Sequence, residues 1–191
     1  MQCLDDRLID AVAVTRVLAS ADSRVVDDFG KLLDGLEPID ACASARAPET
    51  ADPPGAAALR EQLAHAKALD EAGRFDAALG IVREALDQAH RIGARAVEAE
   101  LLYRRGHLER VANTGDPQAT LHEAAITALA AHDDGAAADA WTYLSYVAGF
   151  DAGHAADGER WSSYAAAAIE RLGGDDVREA RRLHYLFGLI Y

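Results

Sequence analysis

The chain has 191 residues, half of them apolar but only 6% aromatic, and its formal net charge is −13. Phosphate contacts need clustered Lys and Arg, so this charge argues against nucleic acid and against an anionic membrane surface as partners. No stretch approaches the roughly 18–20 apolar residues of a membrane span, and residues 1–6 lack the basic start of a signal peptide. We therefore expect no membrane contact by this chain itself, and a cytoplasmic location for the isolated chain.

The N-terminal segment, residues 1–35, is predicted to form a pair of short helices. Apolar residues recur there at helical spacing, first from Leu4 and Leu8 and again from Val25. Residues 36–55 follow with four of the five prolines of the chain. Proline interrupts helices, so this composition predicts a linker between the helical pair and the rest of the chain.

Residues 56–191 are predicted to be helical throughout, with short turns rich in Gly and Asp. The predicted helices cover residues 56–72, 75–92, 95–112, 117–132, 135–151, 155–172 and 176–191. Long helices joined by such short turns must lie antiparallel to their neighbours. Paired acids at two of the turns, Asp133-Asp134 and Asp175-Asp176, are expected to cap the helices that follow. The fold class is therefore all-α.

Small residues recur along these helices at a regular step. Ala66, Gly73, Phe75, Ala78, Val82 and Ala85 have the spacing of the tetratricopeptide consensus, and Gly106 takes the place of Ala66 in the next hairpin. The step from Ala85 to Ala124 is longer than the usual repeat of about 34 residues. The pattern predicts about three and a half hairpins, stacked as a right-handed solenoid and truncated at the C-terminus.

The last predicted helix ends in a run of apolar residues: Leu186, Phe187, Leu189, Ile190 and Tyr191. Terminal repeats normally carry a polar capping face. We therefore predict that the chain is a fragment, or that it dimerises through this apolar C-terminal helix.

The order of several short stretches resembles a recurring region of large bacterial serine/threonine kinases of the myxobacterial type. These stretches are Cys3-Leu4-Asp5-Asp6-Arg7-Leu8, Leu36-Glu37-Pro38, Ala72-Gly73-Arg74-Phe75, Ala119-Thr120-Leu121-His122-Glu123-Ala124 and Arg171-Leu172-Gly173-Gly174-Asp175. In such kinases a tetratricopeptide array follows the catalytic domain. The resemblance implies a regulatory or sensor region without its enzyme, and an extracytoplasmic location if the parent kinase spans a membrane.

Two cysteines, Cys3 and Cys42, lie far apart and outside any C-x-x-C pattern. Buried free thiols are the expected state, since a disulfide would need an oxidising compartment and zinc would need more ligands. The kinase region that the chain resembles carries further cysteines upstream, which implies that either thiol could have lost its partner.

Two triplets coincide with protein-kinase motifs: Asp28-Phe29-Gly30 and Ala47-Pro48-Glu49. Phosphoryl transfer also needs a glycine-rich loop, a strand lysine and an H-R-D loop upstream, for which the residues before Asp28 leave no room. The seven histidines form no H-E-x-x-H motif. We therefore predict no catalytic residues, no cofactor and no metal, and a chain that is not itself an enzyme.

The aromatic residues concentrate in the later helices, where all six tyrosines and both tryptophans follow residue 102. In tetratricopeptide arrays the first helix of each hairpin lines a concave groove. By register, the candidates for binding a partner in this groove are Lys67, Asp70, Tyr103, His107, Arg110, Tyr146 and Tyr185. Tyr and Arg are typical anchors of protein interfaces.

The leading hypothesis is a protein–protein interaction scaffold that binds a peptide or protein segment in its groove, as the regulatory part of a kinase. The alternatives are a self-association module and a free-standing adaptor with no kinase attached. The sequence does not identify the ligand.

Overall fold

The computed structural model describes residues 2–22, 25–26, 29–36, 38–43 and 52–190, and no β-strand occurs in these ranges. The all-α prediction is confirmed. The α-helices are α1 Gln2–Ala19, α2 Phe29–Asp34, α3 Ala56–Glu71, α4 Phe75–Ile92, α5 Arg95–Val111, α6 Pro117–Ala130, α7 Asp134–Tyr146, α8 Ala155–Arg171 and α9 Asp176–Ile190. A 3₁₀ helix spans Ile39–Ala43, and a π-helix spans Val147–Asp151.

The chain divides into two compact units, Met1–Val97 and Glu98–Tyr191. In the first unit α1 packs on α3, and α3 packs on α4. In the second unit α7 packs on both α6 and α8, and α9 packs on both α7 and α8. The helical pair that we predicted as a separate segment therefore shares a unit with the first hairpin, and the predicted array is divided within α5. The stacking of all hairpins as one solenoid stays a prediction.

Small residues make close helix packing possible in the first unit. Ala66, Ala78, Val82 and Ala85 are completely buried, as their spacing in the sequence predicts. Phe75 is only partly buried, because it is the first residue of α4. These four positions of α3 and α4 are therefore buried, and the tetratricopeptide arrangement of the hairpin stays a prediction.

A disulfide joins Cys3 of α1 to Cys42 of the 3₁₀ helix, with 5.7 Å between their Cα atoms. The expectation of buried free thiols is wrong, because both residues are partly exposed and paired with each other. The packing of the 3₁₀ helix against α1 brings them together. No short motif could show this pairing, since the two cysteines are 39 positions apart in the sequence.

Glycine allows a close approach of α5 and α6 in the second unit. A Cβ atom on Gly106 would lie 2.6 Å from Cγ of Leu121, which is completely buried. Only a residue without a side chain fits there unless Leu121 moves. The prediction that Gly106 occupies a small-residue position is confirmed.

Aspartates cap three of the helices in the second unit. The side chains of Asp116 and Asp133 accept hydrogen bonds from the backbone N–H groups of Ala119 and Ala136, at 3.1 and 2.9 Å. Asp175 likewise accepts a bond of 3.0 Å from the N–H of Arg178. These carboxylates satisfy donors that a helix start leaves unpaired. The predicted caps at Asp133 and Asp175 are confirmed.

Several predicted features lie outside the described residues. They are Asp28 and the side chain of Phe29 in the first kinase-like triplet, the whole of the second triplet, residues 37 and 44–51 of the linker, Tyr191, and the side chains of Phe187, Leu189 and Ile190. Among the helices that the structure describes, none combines the length and the apolar run needed to cross a bilayer.

Candidate functional site

Aromatic side chains from three helices meet in the second unit. The ring of Tyr143 on α7 lies 5.9 Å from Tyr103 and 5.3 Å from His107, both on α5. Tyr146 lies 5.0 Å from Tyr185 on α9, and Tyr143 lies 6.2 Å from the same ring. Such separations are typical of interacting ring pairs. We call this cluster, with the neighbouring Phe150, the aromatic patch: Tyr103, His107, Tyr143, Tyr146, Phe150 and Tyr185.

The π-helix after α7 extends the patch. Its turn is closed by a hydrogen bond of 3.1 Å from the N–H of Ala152 to the carbonyl of Val147, which is an i to i+5 bond. The ring of Phe150 stacks on Tyr146 at 5.3 Å, and 56% of Phe150 is exposed. Single π-helical turns are frequent at functional sites. We predicted one continuous α-helix here, and the wider turn is the correction.

Arg110 of α5 ties three elements of the site together. Its guanidinium donates to both carboxylate oxygens of Asp151, at 2.5 and 3.1 Å, and to the hydroxyls of Tyr143 and Tyr146, at 3.4 and 3.1 Å. Its Cζ atom also lies 4.7 Å from the ring centroid of Tyr146. A bidentate pair of this kind fixes geometry as well as charge. Arg110 therefore positions the tyrosines, with most of its donors already used inside the chain.

The hydroxyl groups beneath the patch are shielded from water. Desolvation raises the pKa of Tyr143 to about 12, although Arg110 opposes the shift. Desolvation also raises the pKa of Tyr103, with a smaller contribution from the charge of Asp139. The hydrogen bond to Asp151 raises the pKa of Arg110 above its usual range. At neutral pH both tyrosines are therefore uncharged and Arg110 is permanently charged.

A second charged group borders the patch on the α9 side. Asp139 of α7 accepts hydrogen bonds from Arg178 at 3.0 Å and from Arg181 at 3.2 Å. Arg178 also pairs with Asp175 at 2.6 Å. The two bonds to Asp139 hold α9 against α7 and so bring Tyr185 to the patch.

The patch combines a buried base with an exposed rim. Tyr143 is only 5% exposed, whereas Tyr103, His107, Tyr146 and Tyr185 are partly exposed. Aromatic surface that remains accessible next to polar groups is characteristic of interaction sites. The raised pKa values of Tyr103 and Tyr143 make these two hydroxyls poor proton donors and nucleophiles at neutral pH.

An open cleft of about 620 Å³ lies beside the patch, and its lining includes Arg110 and Asp151, the ion pair that contacts the patch tyrosines. The turn between α5 and α6 contributes the polar side chains Asn113 and Thr114 to this cleft, and α6 contributes Gln118. Amides and hydroxyls both donate and accept hydrogen bonds, so this lining can satisfy the main chain of a bound segment.

The structure brings five of the seven predicted groove residues together in the second unit: Tyr103, His107, Arg110, Tyr146 and Tyr185. Lys67 and Asp70 lie on α3 in the first unit, and Asp70 is only 6% exposed. This burial removes Asp70 from the residues that we propose for ligand contact. A helical register identifies a face of a helix, but it does not show how deeply neighbouring helices cover that face.

Three residues of the site were missed: Tyr143, Phe150 and Asp151. Tyr143, Tyr146 and Phe150 follow the i, i+3, i+7 spacing of one helix face, so the sequence contained a signal for two of the three. The pairing of Asp151 with Arg110 has no local signal, because it spans 41 residues.

A separate aromatic cluster lies between α6, α7 and α8. Trp141 and Trp161 stack at 5.1 Å, and Tyr164 packs edge-on against Trp141 at 5.4 Å. Trp141 is almost fully buried, while Tyr164 is 48% exposed. This cluster joins α7 and α8, the two helices of the third predicted hairpin. Tyr164 is therefore an exposed aromatic residue that lies outside the aromatic patch.

Within the ranges that the structure describes, no group of three or more His, Cys, Asp or Glu side chains lies together in a way that could hold a metal ion. Comparison with protein families, curated proteins and solved structures finds no match to this chain.

Proposed function

We propose that the chain is a protein–protein interaction scaffold of tetratricopeptide type that binds a peptide or protein segment on the aromatic patch. The observation that carries the proposal is the convergence of partly exposed aromatic side chains from α5, α7 and α9. By the repeat pattern, each of these is the first helix of its hairpin. Tyrosines are frequent interface anchors, because they bury much area at little cost in conformational entropy.

The roles within the site differ from residue to residue. Phe150 offers an exposed ring and Tyr185 a partly exposed ring to a ligand, whereas Arg110 holds Tyr146 and Asp151 in place. The adjoining cleft would take the continuation of the same bound segment. An extended segment can therefore gain apolar contacts on the patch and main-chain hydrogen bonds in the cleft.

We further propose that this scaffold is the regulatory part of a bacterial serine/threonine kinase and is not itself an enzyme. The support is the order of short stretches described above and the lack of a glycine-rich loop and an H-R-D motif in the sequence. Reading the coding frame upstream of the Met1 codon tests the attachment. An open frame with kinase motifs supports it, and an in-frame stop codon makes the chain a free-standing adaptor.

Selection of random 12-residue peptides displayed on phage tests the binding site. Peptides selected on the wild-type chain are synthesised, and their affinity is measured by isothermal titration calorimetry. We expect Phe150→Ala and Tyr185→Ala each to weaken binding by about 10- to 100-fold, because interface anchors typically contribute about 2 kcal/mol or more.

Tyr164→Ala is the matched control, because it removes from the other cluster an aromatic ring whose exposure is close to that of Phe150. Circular dichroism of all three variants should match the wild type. The proposal fails if the selection enriches no peptide, or if Tyr164→Ala weakens binding while the two patch variants do not.

A further inference from the structure

Helix α1 exposes a continuous apolar face. Leu4, Leu8 and Val12 are 49%, 64% and 48% exposed, and they follow one another at i, i+4 and i+8 along the same side of the helix. The opposite side packs on α3 and buries Val14 and Val17. Exposed leucines that line one side of a helix are characteristic of a surface that associates with another apolar surface.

This face contains a shallow, open depression towards the C-terminal end of α1. It has a volume of about 370 Å³ and is lined by Ala11, Val12, Thr15, Arg16 and Ala19. Four of these, from Val12 to Ala19, have the i, i+3, i+4, i+7 spacing of the hole that receives a side chain between packed helices. The small side chains of Ala11 and Ala19 allow a second helix to approach closely.

Charge on this face is confined to its two ends. Asp5 is exposed near the beginning of α1 and Arg16 near its end, about 16 Å apart along the helix axis. The neighbouring Asp6 pairs instead with Arg60 of α3 at 3.8 Å. The exposed face therefore has an acidic end, an apolar middle and a basic end.

We infer that two copies of the chain associate through α1, with the two helices antiparallel about a twofold axis. Leu4 of each copy then enters the depression of the other, and Leu8 packs against Ala11 and Val12 of the other copy. In the same register Asp5 faces Arg16 at both ends of the interface. A twofold interface must be complementary to itself, and this distribution of charge and apolar surface meets that condition.

The association is non-covalent and reversible. Cys3 is bonded to Cys42 within one chain, so it does not link two copies. One helix of 18 residues is about 27 Å long, and its single face is smaller than the interface of a typical permanent dimer. The dimer therefore forms as the concentration rises. It does not depend on the function proposed for the aromatic patch in the second unit.

Sedimentation equilibrium of the full chain over a range of concentrations tests the inference, with the disulfide kept oxidised. We expect a monomer–dimer equilibrium for the wild type. Leu8→Glu should raise the dissociation constant at least about 10-fold, since each copy loses a buried leucine and gains a buried charge. Val177→Glu replaces another exposed aliphatic residue, on α9, and should leave the constant unchanged.

Charge reversal tests the register independently of apolar burial. Asp5→Arg or Arg16→Asp alone places like charges opposite each other at both ends, and each should weaken the dimer about fivefold. The double variant D5R/R16D restores opposite charges and should return the constant to within about threefold of the wild type. The inference is overturned if the wild type stays monomeric at every concentration, if Leu8→Glu has no effect, or if the double variant is as weak as the single variants.

Discussion

The hydroxyl of Tyr143 shows what burial does to a single titratable group. Only 5% of this residue is exposed, and the nearest cation, Arg110, is itself neutralised by Asp151. Because desolvation disfavours the phenolate, the pKa of Tyr143 rises to about 12 from an ordinary value near 10. The Tyr143 hydroxyl therefore loses its proton at a lower pH in the unfolded chain than in the folded chain.

This difference predicts a loss of stability in alkali. The contribution of Tyr143 is complete below pH 10 and is lost as pH rises through the folded-state pKa. The loss in free energy of unfolding reaches about 2 kcal/mol by pH 11.5. Urea unfolding of the wild type and of Tyr143→Phe between pH 9 and pH 11.5 measures it. The free energy of unfolding of the wild type should fall further than that of the variant, and equal losses would contradict the assignment.

At the same scale, the sequence predicted four residues of the patch and the neighbouring Arg110, whose contacts differ from those expected of a groove residue. Arg110 was predicted as an anchor for a ligand, whereas its donors go to Asp151, Tyr143 and Tyr146. An exposed Arg and an internally paired Arg have the same helical register. Only the position of the π-helix, which carries Asp151, distinguishes them.

At the scale of the elements, the boundaries of the helices followed from local chemistry. Asp116 and Asp133 begin α6 and α7 as side-chain caps, and Gly93 ends α4 with a φ of 72°. These signals act within one turn of the helix, so they are visible in the sequence. The predicted and observed bounds of the long helices from α3 onward therefore differ by few residues, apart from the π-helical end of α7.

Glycine substitutions separate helix propensity from helix packing. In Gly106→Ala the new Cβ would lie 2.6 Å from Leu121, so we expect a net destabilisation of about 1 kcal/mol despite the better propensity of Ala. In Gly80→Ala the new Cβ meets nothing within 4 Å, and the same change in α4 should stabilise by about 0.5–1 kcal/mol. Thermal unfolding followed by circular dichroism measures both. Shifts of the same sign would show that α5 and α6 are not in close contact at Gly106.

At the scale of the whole molecule, the disulfide connects distant parts of the chain. Cys3 and Cys42 close a loop of about 40 residues that includes α1 and α2. In the chain-entropy account, such a crosslink restricts the unfolded state and stabilises the folded one by up to about 4 kcal/mol. Disulfides of this kind persist in oxidising compartments and are rare where thiols are kept reduced.

The variant C3S/C42S should therefore have a free energy of unfolding that is about 2–4 kcal/mol lower than that of the wild type. Urea denaturation measures this difference. Addition of a reductant to the wild type should give the same loss, and it should leave the variant unchanged. Identical midpoints for oxidised wild type, reduced wild type and variant would show that the crosslink does not form.

The sequence by itself determined that the chain is all-α, where the long helices begin and end, and which positions must be small or aromatic. These properties follow from periodicity and capping, which depend on neighbours within a few residues. The tertiary structure decided that Cys3 pairs with Cys42, that Asp70 is buried, that Arg110 is held by Asp151, and that the compact units divide within α5. Each of these depends on which helix faces pack together, between residues that are tens of positions apart in the sequence. The helical period indicates the direction of a side chain, but it does not identify the side chain that it contacts.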